Sequence, residues 1–543
     1  MARRFKNPRY TGDRRGGAGV SSAAGKTMVS RRSVLKTLSA IPLVGLVGAG
    51  CTPTVRGYGG EPRPLPIPPL AQTEMRDGVE WSAIEAQAGM TNILPDVQTP
   101  TWGFNGTFLG PTLRFTRGHK VGVQVTNSLD EMTTVHWHGM IVPGECDGGP
   151  HLPIEPGETW EPSWEIENHA STLWYHPHPH GVTGLHAYRG LAGMIIIDDD
   201  NPAAEKLPHD YGVDDIPLVL TDIRFNEDGT RDETDLPDLG LLGDVPLVNG
   251  ITNAHFDAPR RRVRFRILDG STMRMFNLEL SGKKQFTVIA SEGGYLNNPL
   301  PVERIPMSPG ERVEVVVDLE PGEKVTLKAT PFPDKLDVPD DEGTPDFGLK
   351  DAFTLLTITG PAEDAPVPGD LPRDMNPSAE EIPDLSGAPT REFGLKGFRI
   401  NDEVMDMQRV DFTVDHDHWE VWTFSNYDTD WLHNMHVHDT QFRILSLKNT
   451  KSLVMTRGWK DTILLPPNAY AKVAVRFTNK YTSTRWPYMY HCHMLYHEDM
   501  GMMGQFLVTK PGELPDSVMG NGDQGNSKDA ARTGQSDYAR HRH

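Results

Sequence analysis

The stretch His491-Cys492-His493-Met494-Leu495-Tyr496-His497-Glu498-Asp499-Met500-Gly501-Met502 holds the densest set of side chains able to do chemistry. Tyr488-Met489-Tyr490 before it reads as a strand, on which neighbouring side chains point to opposite faces. Cys492 therefore faces one way, while His491 and His493 both face the other. If Cys492, His497 and Met502 bind one metal, the flanking histidines can bind a second centre behind the strand. A thiolate, imidazoles and a weak axial thioether make the blue-copper ligand set, which passes single electrons. The bland alternative is a core-strand cysteine with scattered histidines nearby, and His, Cys and Met at these offsets argue against it.

Three more histidine motifs occur: His136-Trp137-His138-Gly139, His176-Pro177-His178 and His433-Asn434-Met435-His436-Val437-His438. Each contains two histidines separated by one residue, so on a strand both imidazoles leave the same face. One such pair is a weak signal, shared with zinc hydrolases and plain surface turns. Four pairs, one with a cysteine embedded in it, are a strong one.

The elements that must hold these pairs repeat along the chain. Asn105-Gly106, Asn249-Gly250 and Asn401-Asp402 each precede a run of alternating apolar residues: 120–127, 262–268 and 419–426. Three copies of one β-domain are predicted. Within each copy, short alternating strands broken by Pro and Gly point to β-sandwiches, as in 312–318. The histidine pairs sit in the first and third copies only. The middle copy has His209 and His255 and no cysteine, so its expected part is to space the outer two and shape their junction. Metals held by the pairs would lie between the first and third copies.

Length and charge bound the rest. A chain of 543 residues should hold several domains. A net charge of −21 argues against nucleic-acid binding and suits an exported acidic protein. Residues 1–50 carry ten Lys and Arg against Asp13 alone, so the remainder is at −30. Ser30-Arg31-Arg32-Ser33-Val34-Leu35-Lys36, followed by a short apolar run, looks like a twin-arginine export signal. Met28 just before it suggests a start later than Met1. Gly48-Ala49-Gly50-Cys51 resembles a lipoprotein cleavage site, with Gly48 where Leu is usual, so a lipid anchor at Cys51 and ordinary cleavage nearby both stay open. No disulfide framework is expected, and Cys146 reads as a small buried hydrophobe. The predicted divisions are a signal region at 1–51, a Pro-rich extended tether at 52–74, domains at 75–200, 201–360 and 392–510, a linker at 361–391, and a disordered tail at 511–543.

Together these motifs resemble those of the multicopper oxidases, the family of laccases, bilirubin oxidases and copper-efflux oxidases, over residues from about 75 to 510. The resemblance implies an all-β chain of three cupredoxin-like Greek-key β-sandwich domains and four copper ions: one type 1, one type 2 and two type 3. It places the type 1 copper on His433, Cys492 and His497, with Met502 axial. It gives the type 2 copper His136 and His436, and the type 3 pair His138, His176, His178, His438, His491 and His493. His119, His151, His169, His180 and His186 are left as surface or supporting residues. Asp147 and Glu498 match positions that relay protons toward the cluster in such oxidases. Asp430 is a candidate acceptor for a phenolic proton, and Trp431 would share a strand face with His433.

The function implied is one-electron oxidation of phenols or aromatic amines, coupled to reduction of O2 to water. A sulfur at the axial position implies a low to middle potential, hence electron-rich donors. Residues 361–391 hold Met375 alone and so no methionine-rich insertion, and Met494, Met500, Met502 and Met503 read as ligand plus core. Oxidation of Cu(I) or Fe(II) is the alternative, and a copper-free envelope scaffold is a remote one. Partners are small-molecule donors and O2, the membrane enters only through Cys51, and the chain is expected to be an exported monomer.

Overall fold

The computed structural model describes residues 60–332, 335–339, 346–449 and 456–516. They fall in one compact unit, Pro53–His543; the other unit, Met1–Thr52, lies outside the described residues. The expected export signal, Cys51 and the residues from 517 onward therefore lie outside the described residues.

Short strands dominate because apolar residues recur at every second position between Pro, Gly and Asn breaks. Lys120–Asn127 shows the pattern, with Val121, Val123 and Val125 fully buried. The strands form six sheets, two to a lobe. In the first lobe, a sheet built on Val79–Thr91 and Lys120–Asn127 faces one ordered Leu113–Thr116, Gly193–Asp198, Ser171–His176, His136–His138. The middle lobe pairs Asp215–Ile223, Arg262–Asp269 and Arg312–Asp318 against a sheet holding Phe276–Leu280, Lys324–Ala329 and Phe353–Thr359. In the third, Trp419–Asn426 and Tyr470–Arg476 face Phe412–Asp415, Met503–Thr509, Tyr488–Cys492, His433–Val437 and Thr462–Leu465. Each lobe buries its own apolar core between its sheets. The fold is all-β, three cupredoxin-like sandwiches in one chain.

The repeat is visible down to single hydrogen bonds. Asn105, Asn249 and Asn401 all adopt positive φ, at 55°, 48° and 54°, a region Asn tolerates better than most residues. Each side chain clamps a strand in the same way. It donates to the carbonyls of Ala83, Pro217 and Glu392, and accepts from the amides of Glu85, Val219 and Gly394. Asn127, Asp269 and Asn426 are equivalent too, each accepting from the amide two residues on.

Two connecting stretches pack on the lobes. The Pro-rich stretch is extended and tied down in its described part. Arg63–Pro64 pairs parallel with Ala254 and His255, Arg63 donates to the Ile93 and Asn92 carbonyls, and Leu65 enters the middle core. The 361–391 linker is likewise pinned: Met375 is buried, its amide donates to the Asn297 carbonyl, and its carbonyl accepts from Asn201.

Candidate metal centre

Tyr488–Cys492 is the central strand of the site, and its register sets everything around it. It runs antiparallel to His433–Val437, with Cys492 opposite Met435 and His491 opposite His436. Cys492 points into the third lobe's core and His491 points out of it, as pleating requires. On the core side, Cys492 Sγ lies 3.7 Å from His433 Nδ1 and 3.5 Å from His497 Nδ1, and the two Nδ1 atoms are 3.2 Å apart. His497 comes from the short Leu495–Asp499 helix that follows the strand. Met502 is fully buried in the same core cluster. Burial pushes the Cys492 thiol up to about 12, so a cation must displace its proton for the sulfur to act as thiolate.

On the other face, eight imidazoles from the first and third lobes interleave. His136 stacks on His438 at 3.8 Å and His138 on His436 at 3.7 Å between ring centroids, each pair crossing the lobe boundary. His178 Nε2 and His438 Nε2 lie 3.2 and 3.3 Å from His491 Nε2, and His176 Nε2 lies 3.4 Å from His493 Nε2. His136–His138 and Ser171–His176 are paired strands, with His136 opposite His176. Every one of these rings is buried.

The outward nitrogens are held by oxygen atoms. His136 and His436 donate through Nδ1 to the Asp147 and Asp461 carbonyls, at 2.8 and 2.9 Å. His438 Nδ1 meets Asp147 Oδ2 at 2.8 Å, and His138 Nε2 meets Asp461 Oδ1 at 3.0 Å. Glu498 lies between two rings, 3.4 Å from His178 Nδ1 and 3.1 Å from His491 Nδ1. Burial and mutual repulsion hold His136, His138, His176, His436, His438 and His493 well below the usual imidazole value, so they are neutral near pH 7. Burial pushes the Asp147 carboxyl well above the carboxylate range. Burial also acts on Glu498, but the imidazoles of His178 and His491 outweigh it and hold its carboxyl low.

Five buried ring nitrogens of the cluster, His136 Nε2, His138 Nδ1, His178 Nδ1, His436 Nε2 and His493 Nδ1, have no hydrogen-bond partner, and the Nε2 atoms of His176, His178, His438, His491 and His493 face only one another. Buried polar atoms are rarely left so. Cations among them would satisfy the nitrogens that face inward.

Models of multicopper oxidase domains match residues 85–202, 199–326 and 374–512, one in each lobe. The chain belongs to the multicopper oxidase family. A multicopper oxidase of Staphylococcus haemolyticus is 36% identical over 454 residues, covering 82% of this chain and 92% of the relative. A solved laccase-like multicopper oxidase from a lignin-degrading Ochrobactrum, described as active towards lignin model compounds and lignosulfonate, is 36% identical with a TM-score of 0.71, covering 82% of this chain and all of that one. The cell division protein FtsP of Salmonella typhimurium is 31% identical, covering 85% of this chain and 96% of the relative.

Copper suits the donor set of this multicopper oxidase: a thiol with two imidazoles on one face of the strand, and neutral, unpaired imidazole nitrogens on the other. All ten histidines singled out by spacing, with Cys492, fall in these two groups. The carboxylate that reaches His433 is Asp428, 2.8 Å from Nε2, and not Asp430, which stands half-buried two residues on. Trp431 does not share a strand with His433, because the strand begins at His433 itself; it stacks on His497 at 5.3 Å. Of the methionines, Met494 and Met502 are buried in the core, Met503 packs with Met405 and Met489, and Met500 is exposed. Cys146 is buried in the first lobe's core. Spacing missed Asp428 and Asp461, because a lone acid in a loop carries no periodic signal.

Proposed function

We propose that the chain is a laccase-like oxidase that takes single electrons from small electron-rich aromatic donors and reduces O2 to water. The observation that carries this reading is the strand whose thiol faces one imidazole pair while its neighbours His491 and His493 face six others. In the assignment proposed, His433, Cys492, His497 and Met502 hold a type 1 copper, His136 and His436 a type 2 copper, and His138, His176, His178, His438, His491 and His493 a type 3 pair. Bound there, the coppers supply one-electron oxidation at one site and four-electron reduction of O2 at the other.

The chain's own residues do the rest. Cys492 and its two neighbours make the shortest covalent path between the groups. Asp147 keeps its proton beside His438, and Glu498 stays ionised between His178 and His491, so one carboxyl can give a proton and the other can accept one. The rim of the thiol site is aromatic: Trp431 and Phe398, both half-buried, pack on His497 at 5.3 and 5.4 Å. An aromatic donor can stack there, whereas a metal ion would want oxygen or sulfur ligands, which supports organic substrates over Cu(I) or Fe(II). The relative described as active towards lignin model compounds and lignosulfonate points the same way. The cell-division relatives leave room for a scaffold as a second reading, and the buried unpaired nitrogens argue against a copper-free one here. Asp430, near that rim, is kept as an acceptor for a substrate proton. Export by the twin-arginine route, with or without a lipid at Cys51, and a monomeric state complete the proposal.

Oxygen uptake by copper-loaded protein with 2,6-dimethoxyphenol, Cu(I) and Fe(II) tests it. The reading expects the phenol to be oxidised with four donors consumed per O2. Faster turnover of Cu(I) or Fe(II) than of any phenol would make it a metallo-oxidase, and no uptake by loaded protein would return the scaffold reading.

A further inference from the structure

We infer that Arg312, from the lobe without paired histidines, is a positioning residue for the imidazole cluster, setting through Asp461 which nitrogen of His138 faces the metals. The inference rests on the copper reading proposed above. Arg312 grips Asp461 with both arms of its guanidinium, Nη1 to Oδ1 at 2.7 Å and Nη2 to Oδ2 at 2.6 Å. Its Nε donates to the Thr172 carbonyl at 3.1 Å and its Nη1 to the Gly310 carbonyl at 3.1 Å, so residues of all three lobes meet on one side chain. Neither Arg312 nor Asp461 is exposed.

The main chain of Asp461 is fixed from the middle lobe as well. Glu292 accepts from the amides of Asp461 and Thr462 at 2.7 and 3.1 Å, and Lys460 is held between Glu292 and Glu311 at 2.7 and 3.0 Å. Asp461 is held on both sides, and a carboxylate gripped by a guanidinium accepts from its other neighbours. Those are the Thr462 hydroxyl, at 2.9 Å from Oδ1, and His138 Nε2, at 3.0 Å from Oδ1 and 3.2 Å from Thr462 Oγ1; to meet the carboxylate, Nε2 must carry the ring proton. A neutral ring protonated at Nε2 leaves Nδ1 bare, and His138 Nδ1 is one of the buried ring nitrogens without a hydrogen-bond partner.

His138 is inverted relative to its neighbours. His136, His176, His436 and His438 place Nδ1 against oxygen and leave Nε2 inward. Asp461 and Thr462 of the third lobe face His138 Nε2, and the charge that orders Asp461 comes from Arg312 of the middle lobe. Gly139 shows how tight the junction is: a Cβ there, at a φ of 85°, would lie 2.6 Å from Arg312 and 2.7 Å from Asp461.

The test uses the full chain with Arg312→Met, Arg312→Lys and Asp461→Asn. In copper-free wild-type protein, 15N shifts of selectively labelled histidine should report the Nε2–H form at His138. Arg312→Met should give mixed forms there and, after loading, a loss of about 10–100-fold in copper affinity at the cluster. The near-ultraviolet band of the coupled copper pair should weaken, while the blue band of the Cys492 site is kept. Asp461→Asn should behave alike, and Arg312→Lys, which keeps the charge but not the fork, should restore part of the affinity. An Nδ1–H form at His138 in the wild type overturns the inference even if every variant fails to fold. So does Arg312→Met with wild-type copper content, or with both bands lost together. Wild-type protein that binds no cluster copper would instead sink the oxidase reading, and the copper-free tautomer would still decide the inference.

Discussion

Asp428 accepts from His433 Nε2 at 2.8 Å, and a carboxylate in that position makes the imidazole a stronger donor to a metal on Nδ1. Asp428→Asn removes the charge while keeping the shape, so the potential of a copper held by His433 and Cys492, as proposed, should rise by on the order of tens of millivolts, read by voltammetry. An unchanged potential would detach Asp428 from the site. Glu498→Gln and Asp147→Asn should keep the blue absorption and bound copper while slowing turnover about 10²-fold or more, the usual loss when a positioned proton donor or acceptor is removed. Steady-state oxygen uptake beside a copper assay checks this; full activity in either variant removes that residue from proton transfer. The clustered histidines are legible in the sequence because a strand repeats every two residues and each pair advertises itself. Their oxygen partners were not: Asp461 lies 323 residues from His138, and Arg312 another 149 from Asp461. Asp428, which meets His433, lies in the turn before the strand begins, where strand spacing gives no signal.

At the scale of elements, the repeated Asn clamp shows why three copies can be read from one recurring Asn. Each Asn satisfies two strand groups from a left-handed turn, a combination of conformation and hydrogen bonding that few residues supply. Asn249 is buried and also donates to the Pro66 carbonyl, so it ties the leading strap to the middle lobe. Asn249→Ala should cost about 2–4 kcal/mol, from lost hydrogen bonds and positive φ, against about 1–2 for the exposed Asn105→Ala. Calorimetric midpoints of the two variants check the ranking, and equal losses would mean the clamps do not carry the lobes. The strap itself could not be read from its composition. Proline density predicts an extended chain correctly, but the partner strand at Ala254–Asp257 becomes available only once the middle lobe has folded.

For the molecule as a whole, packing so many neutral imidazoles together has a pH signature. Unfolded histidines gain protons below about pH 6.5, while the buried ones, held lower by burial, do not; His178, for example, is held down to about 4. The unfolded state then binds more protons, so stability is full above about 6.5 and falls as pH drops from there toward the folded values. The copper-free protein should lose about 1.4 kcal/mol per pH unit for each such histidine, and its melting point should fall steeply between pH 7 and 5. A flat profile there would mean the rings are not buried and neutral. Chelating copper should lower the melting point at every pH in that range, because the metals bind the folded state alone.

The most direct test of the central claim is an anomalous difference map at the copper edge from crystals of loaded protein. The account predicts four peaks: one between Cys492, His433 and His497, and three among the eight imidazoles on the far side of the same strand. Peaks absent from either face of Tyr488–Cys492, or ring nitrogens that turn away from them, would contradict it.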